Sequence, residues 1–377
     1  MPTHLPFTMR NQQVIYAKKI FTGSQWLQHH CIHITDGMIT KIEAFDVAEN
    51  ATIYPIIAPA FIDAQIYGAH EQLLSVYPFS ESLWALYDYC SKGGALHFLP
   101  TVATNTKEVM YACIDAVRAY WKEGGKGCLG LHLEGPWIHP AKKGAHIEAL
   151  IHSPTFEEVD ELLAYGKDII KMITLAPEVC DSSIIQQLLQ AGIIVSAGHS
   201  NASYQQATAA FNNGITTVTH LYNAMSPLAH REPGLVGASL LHSTVMSSII
   251  PDGHHVRFEA VQIAQKLMQD RLFAITDAVT TTHSGPYQHY LNGDKYESNG
   301  ILSGSALSMH KALKNLINEV KLSPETAMNM CSLYPAKMLG LHNGLGLLKE
   351  KYKACFIVMD EDYELLNCFN GEIWIVE

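Results

Sequence analysis

His132-Leu133-Glu134-Gly135-Pro136-Trp137 is the stretch whose reading decides the fold. The mostly apolar residues 129–133 run straight into a carboxylate, Glu134, and a Gly-Pro turn follows at once. A buried parallel strand that delivers one charged side chain to the mouth of a β/α barrel has this form. The pattern recurs. Residues 193–198 lead to His199, residues 216–219 to His220, and residues 272–276 to Asp277. Taken singly, each has a bland explanation. A histidine at a strand end is commonly a hydrogen-bonded structural residue, Asp277 could cap a helix, and Gly198-His199-Ser200-Asn201 could be a plain turn. Those explanations do not account for Glu, His, His and Asp closing four separate strand-like runs. Together the four are the ligands and the base of a metal-dependent hydrolase.

Outward from these runs, strands are predicted near 60–65, 96–101, 129–133, 173–176, 193–197, 216–219, 247–250 and 272–276, with helical patterns between them. The clearest helix covers 106–123. Val109, Met110, Cys113, Ile114, Val117, Tyr120 and Trp121 share one face, Asn105 with Glu108 forms a capping box, and Gly124-Gly125 is the stop. Eight β/α units predict a distorted (β/α)8 barrel over residues 58–344. Residues 14–57 read instead as short strands and turns, at 14–17, 20–23, 31–34 and 38–42, and residues 354–359 and 371–376 have the same texture. Both chain ends, 1–57 and 345–377, are therefore expected to build one small β-sandwich. No Gly-x-Gly-x-x-Gly follows the first strand, which argues against a dinucleotide fold.

The chain has 377 residues, 48% of them apolar and 16% charged, with a net charge of −11 from 25 basic and 36 acidic side chains. A large core is affordable and no basic run favours nucleic acid. No window has the length of a membrane span, and residues 1–13 lack the apolar stretch of a signal peptide. Eight scattered cysteines without a C-x-x-C pair predict reduced core thiols in a cytoplasmic protein.

A catalytic metal site of this type needs three protein ligands and an open position for water, and Glu134, His199 and His220 supply the three. The bound cation would acidify water and polarise a carbonyl, and Asp277 would take the water's proton and pass it to a leaving amine.

These residues lie in motifs that resemble the amidohydrolase superfamily and, within it, the N-acetylglucosamine-6-phosphate deacetylases. The motifs are Ala58-Pro59-Ala60-Phe61-Ile62-Asp63-Ala64-Gln65, His132-Leu133-Glu134-Gly135-Pro136, Leu175-Ala176-Pro177-Glu178, Ser196-Ala197-Gly198-His199-Ser200-Asn201, Thr219-His220-Leu221-Tyr222-Asn223-Ala224-Met225, Arg231-Glu232-Pro233-Gly234, Thr276-Asp277 and Leu302-Ser303-Gly304-Ser305. The resemblance spans the chain from about residue 15 to its end.

It implies that Glu134, His199 and His220 bind one divalent metal, zinc first, with iron, cobalt or nickel as alternatives. It implies Asp277 as acid/base and His146 as the donor to the acetyl carbonyl. Ala145, Asn223, Ala224, Arg231, His255, Leu302, Ser303 and Gly304 would contact a phosphorylated amino sugar. Arg231 could instead be a surface residue paired with Glu232. The resemblance further implies a homodimer whose phosphate site is completed across subunits. Many members carry His-x-His after the first strand for a second metal. Asp63-Ala64-Gln65 stands there, and Gln65, close to the site, is a poor transition-metal ligand, so one metal is expected. Tyr67-Gly68-Ala69-His70-Glu71 replaces a glycine-rich loop near the pocket. The expected reaction is deacetylation of N-acetylglucosamine 6-phosphate. The alternatives are the galactosamine epimer, an N-acyl amino acid, or a non-enzymatic scaffold of the same fold.

Overall fold

In the computed structural model, residues 12–46, 51–298 and 300–375 are described. Most of residues 1–13, read above for a leader, and Val376 of the last predicted strand lie outside them.

Eight parallel strands form the centre: Phe61–Ile66, Ala95–Ala103, Leu131–Glu134, Ile170–Leu175, Ile194–Ala197, Thr217–Val218, Met246–Ile249 and Leu272–Ala274, paired in sequence order. Their side chains are almost all buried, as expected when helices cover the outside and side chains fill the inside. The last strand closes on the first beyond its own end. Asp277 N–H donates to the Gln65 carbonyl at 3.0 Å, Tyr67 N–H donates to the Ala278 carbonyl at 2.9 Å, and Ile66 and Ala278 form a parallel bridge. This closure sets Asp277 beside the exit of the first strand.

Helices fill the crossovers. The clearest runs Lys107–Lys122 and buries Met110, Cys113, Ile114, Val117 and Tyr120 against the barrel. Its cap differs from the expected Asn105–Glu108 box. Asn105 is buried, with its Oδ1 accepting from Thr106 N–H at 3.1 Å, so the chain enters the helix one residue later and Thr106 Oγ1 caps Val109 N–H. Trp121 lies at the edge of the apolar face, with its indole N–H donating to the Cys128 carbonyl.

The chain ends meet in one six-stranded sheet, ordered Leu365–Asn370, Cys355–Met359, Ile53–Pro59, Gln12–Phe21, Trp26–Thr35, Met38–Ala44. It coils about Ile20, Ile32, Ile57 and Phe356, until Ile39 on its far edge exchanges backbone hydrogen bonds with Lys351 and Tyr352. The two runs expected at 14–17 and 20–23 are one continuous strand. The final strand is Leu365–Asn370 rather than 371–376, because Gly371, at φ +95°, turns the chain and leaves Trp374 only a bridge to Phe369. A three-stranded sheet, Tyr290–Asn292, Lys295–Ser298 and Ile301–Ser305, follows the eighth barrel strand and has no counterpart among the predicted elements. Its last strand is sewn to the barrel by Ser305 N–H to the Asp277 carbonyl (2.9 Å) and Val279 N–H to the Ser305 carbonyl (3.1 Å). No helix among the described residues is long and apolar enough to cross a membrane.

Candidate active site

Glu134, His199, His220 and Asp277 all leave the same end of the barrel, where the strands give way to turns. Three of them hold non-glycine positive φ angles: His199 at 46°, His220 at 38° and Asp277 at 55°, with Tyr222 at 81° and Ala224 at 48° beside them. Backbone strain of this kind persists only where the surroundings enforce it. Here it turns each side chain inward over the barrel axis. The residues line a cavity of about 230 Å³, the scale of a small ligand.

The donor atoms form a tight triangle. Glu134 Oε1 lies 2.9 Å from His220 Nε2 and 3.3 Å from His199 Nε2, and the two ring nitrogens are 3.1 Å apart. Ligand pairs on a tetrahedral ion at about 2.1 Å stand about 3.4 Å apart, so the triangle fits one small divalent cation. His199 is set for this role. Its Nδ1 lies 2.8 Å from the Lys142 carbonyl, which can only accept, so Nδ1 carries the proton and Nε2 keeps its lone pair.

His146 comes equally close, with Nε2 3.3 Å from Glu134 Oε2, yet it is oriented the other way. Its Nδ1 accepts from the Thr104 backbone N–H at 3.3 Å and lies 2.7 Å from Thr104 Oγ1. The neutral ring therefore carries its proton on Nε2 and is a donor, not a ligand. That separates the three metal-binding groups from the one suited to a carbonyl oxygen.

The first strand and the residue just past its end contribute Gln65 and Tyr67. The Gln65 amide donates to Glu134 Oε1 (3.1 Å) and to Asp277 Oδ1 (2.8 Å), tying the ligand to the base. The Tyr67 hydroxyl donates to Glu134 Oε2. Asp63 points into the barrel wall, where it accepts from Thr276 N–H and Gln65 N–H and from the Thr276 hydroxyl. Burial pushes its carboxyl up to about 6 against those hydrogen bonds.

Burial dominates the electrostatics. It acts to raise Glu134, but the surrounding imidazoles, His199 foremost and then His146 and His220, outweigh it and hold the carboxyl well below its usual range. Asp277 goes the other way, raised well above the usual range by burial and then by the Glu134 charge. A cation at the triangle would draw Asp277 back down. Burial, with His199 adding to it, lowers His146 to about 4, so it is neutral at physiological pH.

Residues 56–372 match the family model for the amidohydrolase family. This chain belongs to that family. It is 32% identical over 374 residues, 96% of this chain and 97% of the relative, to an N-acetylgalactosamine-6-phosphate deacetylase of Escherichia coli O157:H7. It is 33% identical over 346 residues, 89% of each, to an N-acetylglucosamine-6-phosphate deacetylase of Haemophilus influenzae. Among solved structures, an N-acetylglucosamine-6-phosphate deacetylase from Pasteurella multocida superposes with a TM-score of 0.91 at 30% identity, covering 97% of this chain and all of the other. The barrel and the amide-hydrolase class expected from sequence are thereby shown.

In this amidohydrolase the cavity wall also carries most of the residues marked from sequence for substrate: Ala145, Asn223, Ala224, His255, Leu302, Ser303 and Gly304. Gly304 sits at φ +70°, and a Cβ there would meet Val279 Cγ1 at 2.4 Å, so the close pass of this strand beside Asp277 requires glycine. His255 is half-buried, with Nδ1 2.6 Å from Asp252 Oδ2. Arg231 is exposed outside the cavity wall, and no ion pair with Glu232 forms; Glu232 accepts instead from Tyr204 N–H and Gly234 N–H. Gln65 lies beneath the wall rather than in it. Of the loop after the first strand, Tyr67 enters the cavity, whereas His70 faces outward to Asp88 at 2.9 Å. Sequence reasoning missed Thr104, Lys142, Tyr287 and His289. Tyr67 was detectable from its place two residues after Gln65, where the first strand's alternation runs on past its end. Tyr287 and His289 stand in a polar stretch without periodicity, which carries no such signal.

Proposed function

We propose that this protein is a metal-dependent deacetylase that hydrolyses the acetamide of N-acetylglucosamine 6-phosphate to glucosamine 6-phosphate and acetate. The observation that carries the proposal is the division of labour in one cavity: a three-donor triangle, a donor imidazole and a raised carboxyl. Glu134, His199 and His220 would hold a single divalent cation, zinc first and iron, cobalt or nickel as alternatives. When bound, it supplies Lewis-acid polarisation and a more acidic water. Asp277 takes a proton from the attacking water as oxygen bonds to the acetyl carbon. His146 Nε2–H donates to the carbonyl oxygen as charge builds there. The C–N bond breaks, Asp277 returns its proton to the leaving nitrogen, and acetate and amine separate.

Gln65 and Tyr67 support the single-ion reading, since both donate to Glu134 where a second cation would need ligands. Two tightly held metals per chain in protein purified without added metal would overturn it. For the phosphate, His255 and Arg231 are the proposed contacts. The exposed position of Arg231, next to exposed Leu228, supports a homodimer in which a second copy completes that end of the site. Eight free cysteines, seven of them buried, support a cytoplasmic location.

The test is acetate release from the 6-phosphates of N-acetylglucosamine and N-acetylgalactosamine, with metal content measured on the same sample. Release from the glucosamine compound is expected. Release from the galactosamine compound alone would move the assignment to the second reading, which the E. coli relative favours. Release from neither by metal-loaded protein would remove the substrate assignment.

A further inference from the structure

Tyr287 lines the same cavity as the catalytic residues, yet neither the motifs nor the mechanism uses it. It belongs to the segment between the eighth barrel strand and the three-stranded sheet. Its ring is buried and packs with Tyr67, Leu73 and Val279, with Ala103 and Ile147 alongside. Its hydroxyl donates to the Thr104 carbonyl at 2.6 Å. Thr104 is itself fully buried, one residue past the end of the second barrel strand.

The polar groups of Thr104 connect two cavity residues. Its N–H and its hydroxyl both meet His146 Nδ1, at 3.3 and 2.7 Å, and its carbonyl accepts from Tyr287. The hydroxyl's other contact, with the Glu134 carbonyl, is longer at 3.5 Å. One residue therefore carries a line of hydrogen bonds from the phenol to the imidazole. Each link has a fixed direction. The carbonyl only accepts, so the phenol donates. The amide only donates, so Nδ1 accepts and the ring's proton stays on Nε2, the atom offered to the acetyl oxygen. A donor to a developing oxyanion works by standing in place before the charge appears, and a small displacement is costly. Ile147, the residue after His146, packs on the same cluster as the Tyr287 ring. The tyrosine thus restrains His146 through its neighbour in the chain and through Thr104.

We infer that Tyr287 is a positioning residue: acting through Thr104, its hydroxyl holds His146 where Nε2–H meets the carbonyl oxygen of the substrate. The inference rests on the proposed function and deepens it. It makes the segment after the eighth barrel strand part of what sets the oxyanion donor, although no residue of that segment has a place in the reaction itself. A ring that only filled the cavity wall could lose its hydroxyl without effect, and that is where the two roles separate.

The experiment compares wild type with Tyr287→Phe and Thr104→Val, each alone and combined with His146→Ala, on both N-acetylhexosamine 6-phosphates, with metal content and thermal melts recorded. Loss of a whole oxyanion donor costs about 10²–10³ in kcat, so a loosened one should cost less: about fivefold or more for Tyr287→Phe and about 30-fold for Thr104→Val. KM should stay within about twofold and metal content should not change. In the His146→Ala background neither second substitution should cost anything further, because both act through that ring. Thr104→Ser, which keeps the hydroxyl, should recover most of the loss. Thr104→Val cuts the same line at its other link and carries the test if Tyr287→Phe does not fold. A kcat unchanged in folded, metal-loaded Tyr287→Phe would overturn the inference and leave the deacetylase reading intact. An equal loss with and without His146 would overturn it too, by showing that the phenol acts elsewhere. So would a rise in KM alone, which would place Tyr287 in substrate binding. Wild type inactive on both compounds would remove the function and this inference together.

Discussion

Among the described residues, two places gather three potential metal donors within reach of one another: Glu134, His146 and His199 at the barrel mouth, and Cys31, His33 and Glu43 on the outer face of the terminal sheet. Their surroundings differ. On the sheet, Glu43 is already engaged by His33 at 2.9 Å and Lys41 at 2.5 Å, and both partners are solvent-accessible. The Cys31 thiol is raised by burial and by the Glu43 charge, which disfavours the thiolate that a metal would need. At the barrel mouth the carboxylate is buried, no lysine or arginine pairs with it among the described residues, and the backbone at Lys142 and Thr104 assigns each ring its tautomer. Proximity of donor residues does not make a metal site; free lone pairs held toward one point do.

His199→Ala breaks the better of the two clusters, and the largest effect is expected there. Metal and turnover should disappear together, read by elemental analysis and acetate release. A variant that keeps its metal would show that the triangle is not the site. Asp277→Asn tests the other half of the design. The amide cannot accept the water's proton, so kcat should fall about 10³-fold with metal content unchanged. Near-normal turnover would remove Asp277 from the mechanism.

Tyr67→Phe sharpens the comparison at lower cost. It deletes the phenol that donates to Glu134 Oε2 and leaves the ring in place. Metal affinity should fall about tenfold, measured by competition with a chelator. Affinity equal to wild type would mean that the phenol does not restrain the carboxylate.

Burial also separates the two regions in their response to acid. His97 and His132 lie inside the barrel, both lowered to about 4 by burial, with Lys353 acting in the same direction on His97. Unfolded, each titrates near 6.5, so between about 6.5 and 4 the unfolded chain binds more protons and stability falls as pH drops. Asp63, raised to about 6, and Asp277, raised well above its usual range, bind their protons more tightly when folded and oppose this, but His146 and His289, also lowered to about 4, act with His97 and His132. Chelated protein should therefore melt several degrees lower at pH 5 than at pH 7. An unchanged or higher melting temperature would contradict the burial of these rings.

What could be read from the sequence follows the same physics. All eight barrel strands were legible, because a fully buried parallel strand is an apolar run and its end is marked by the first charged residue, as at Glu134, His199, His220 and Asp277. The three-stranded sheet was not. Tyr290–Asn292 and Lys295–Ser298 are exposed or half-buried, so no alternation distinguishes them from loop. The roles of His146 and His199 were not separable by residue type. What distinguishes them is a carbonyl at Lys142 and an amide at Thr104, backbone groups that every sequence carries and none advertises. Tyr67 was visible as an oddity and acquired meaning only when the pleat placed it two residues beyond Gln65, facing Glu134.

The smallest effect is expected on the terminal sheet. Cys31→Ser and His33→Ala each remove one of its three donors. Because Glu43 is held by Lys41 and the thiolate is disfavoured, neither should change the metal content of purified protein, and kcat/KM should stay within about twofold, the range of surface substitutions remote from a site. Loss of a metal equivalent in either variant, with the barrel-mouth residues intact, would mean that the outer cluster coordinates after all. The ordering of lone pairs argued for His199 and His146 would then no longer distinguish a metal site from a crowd of donors.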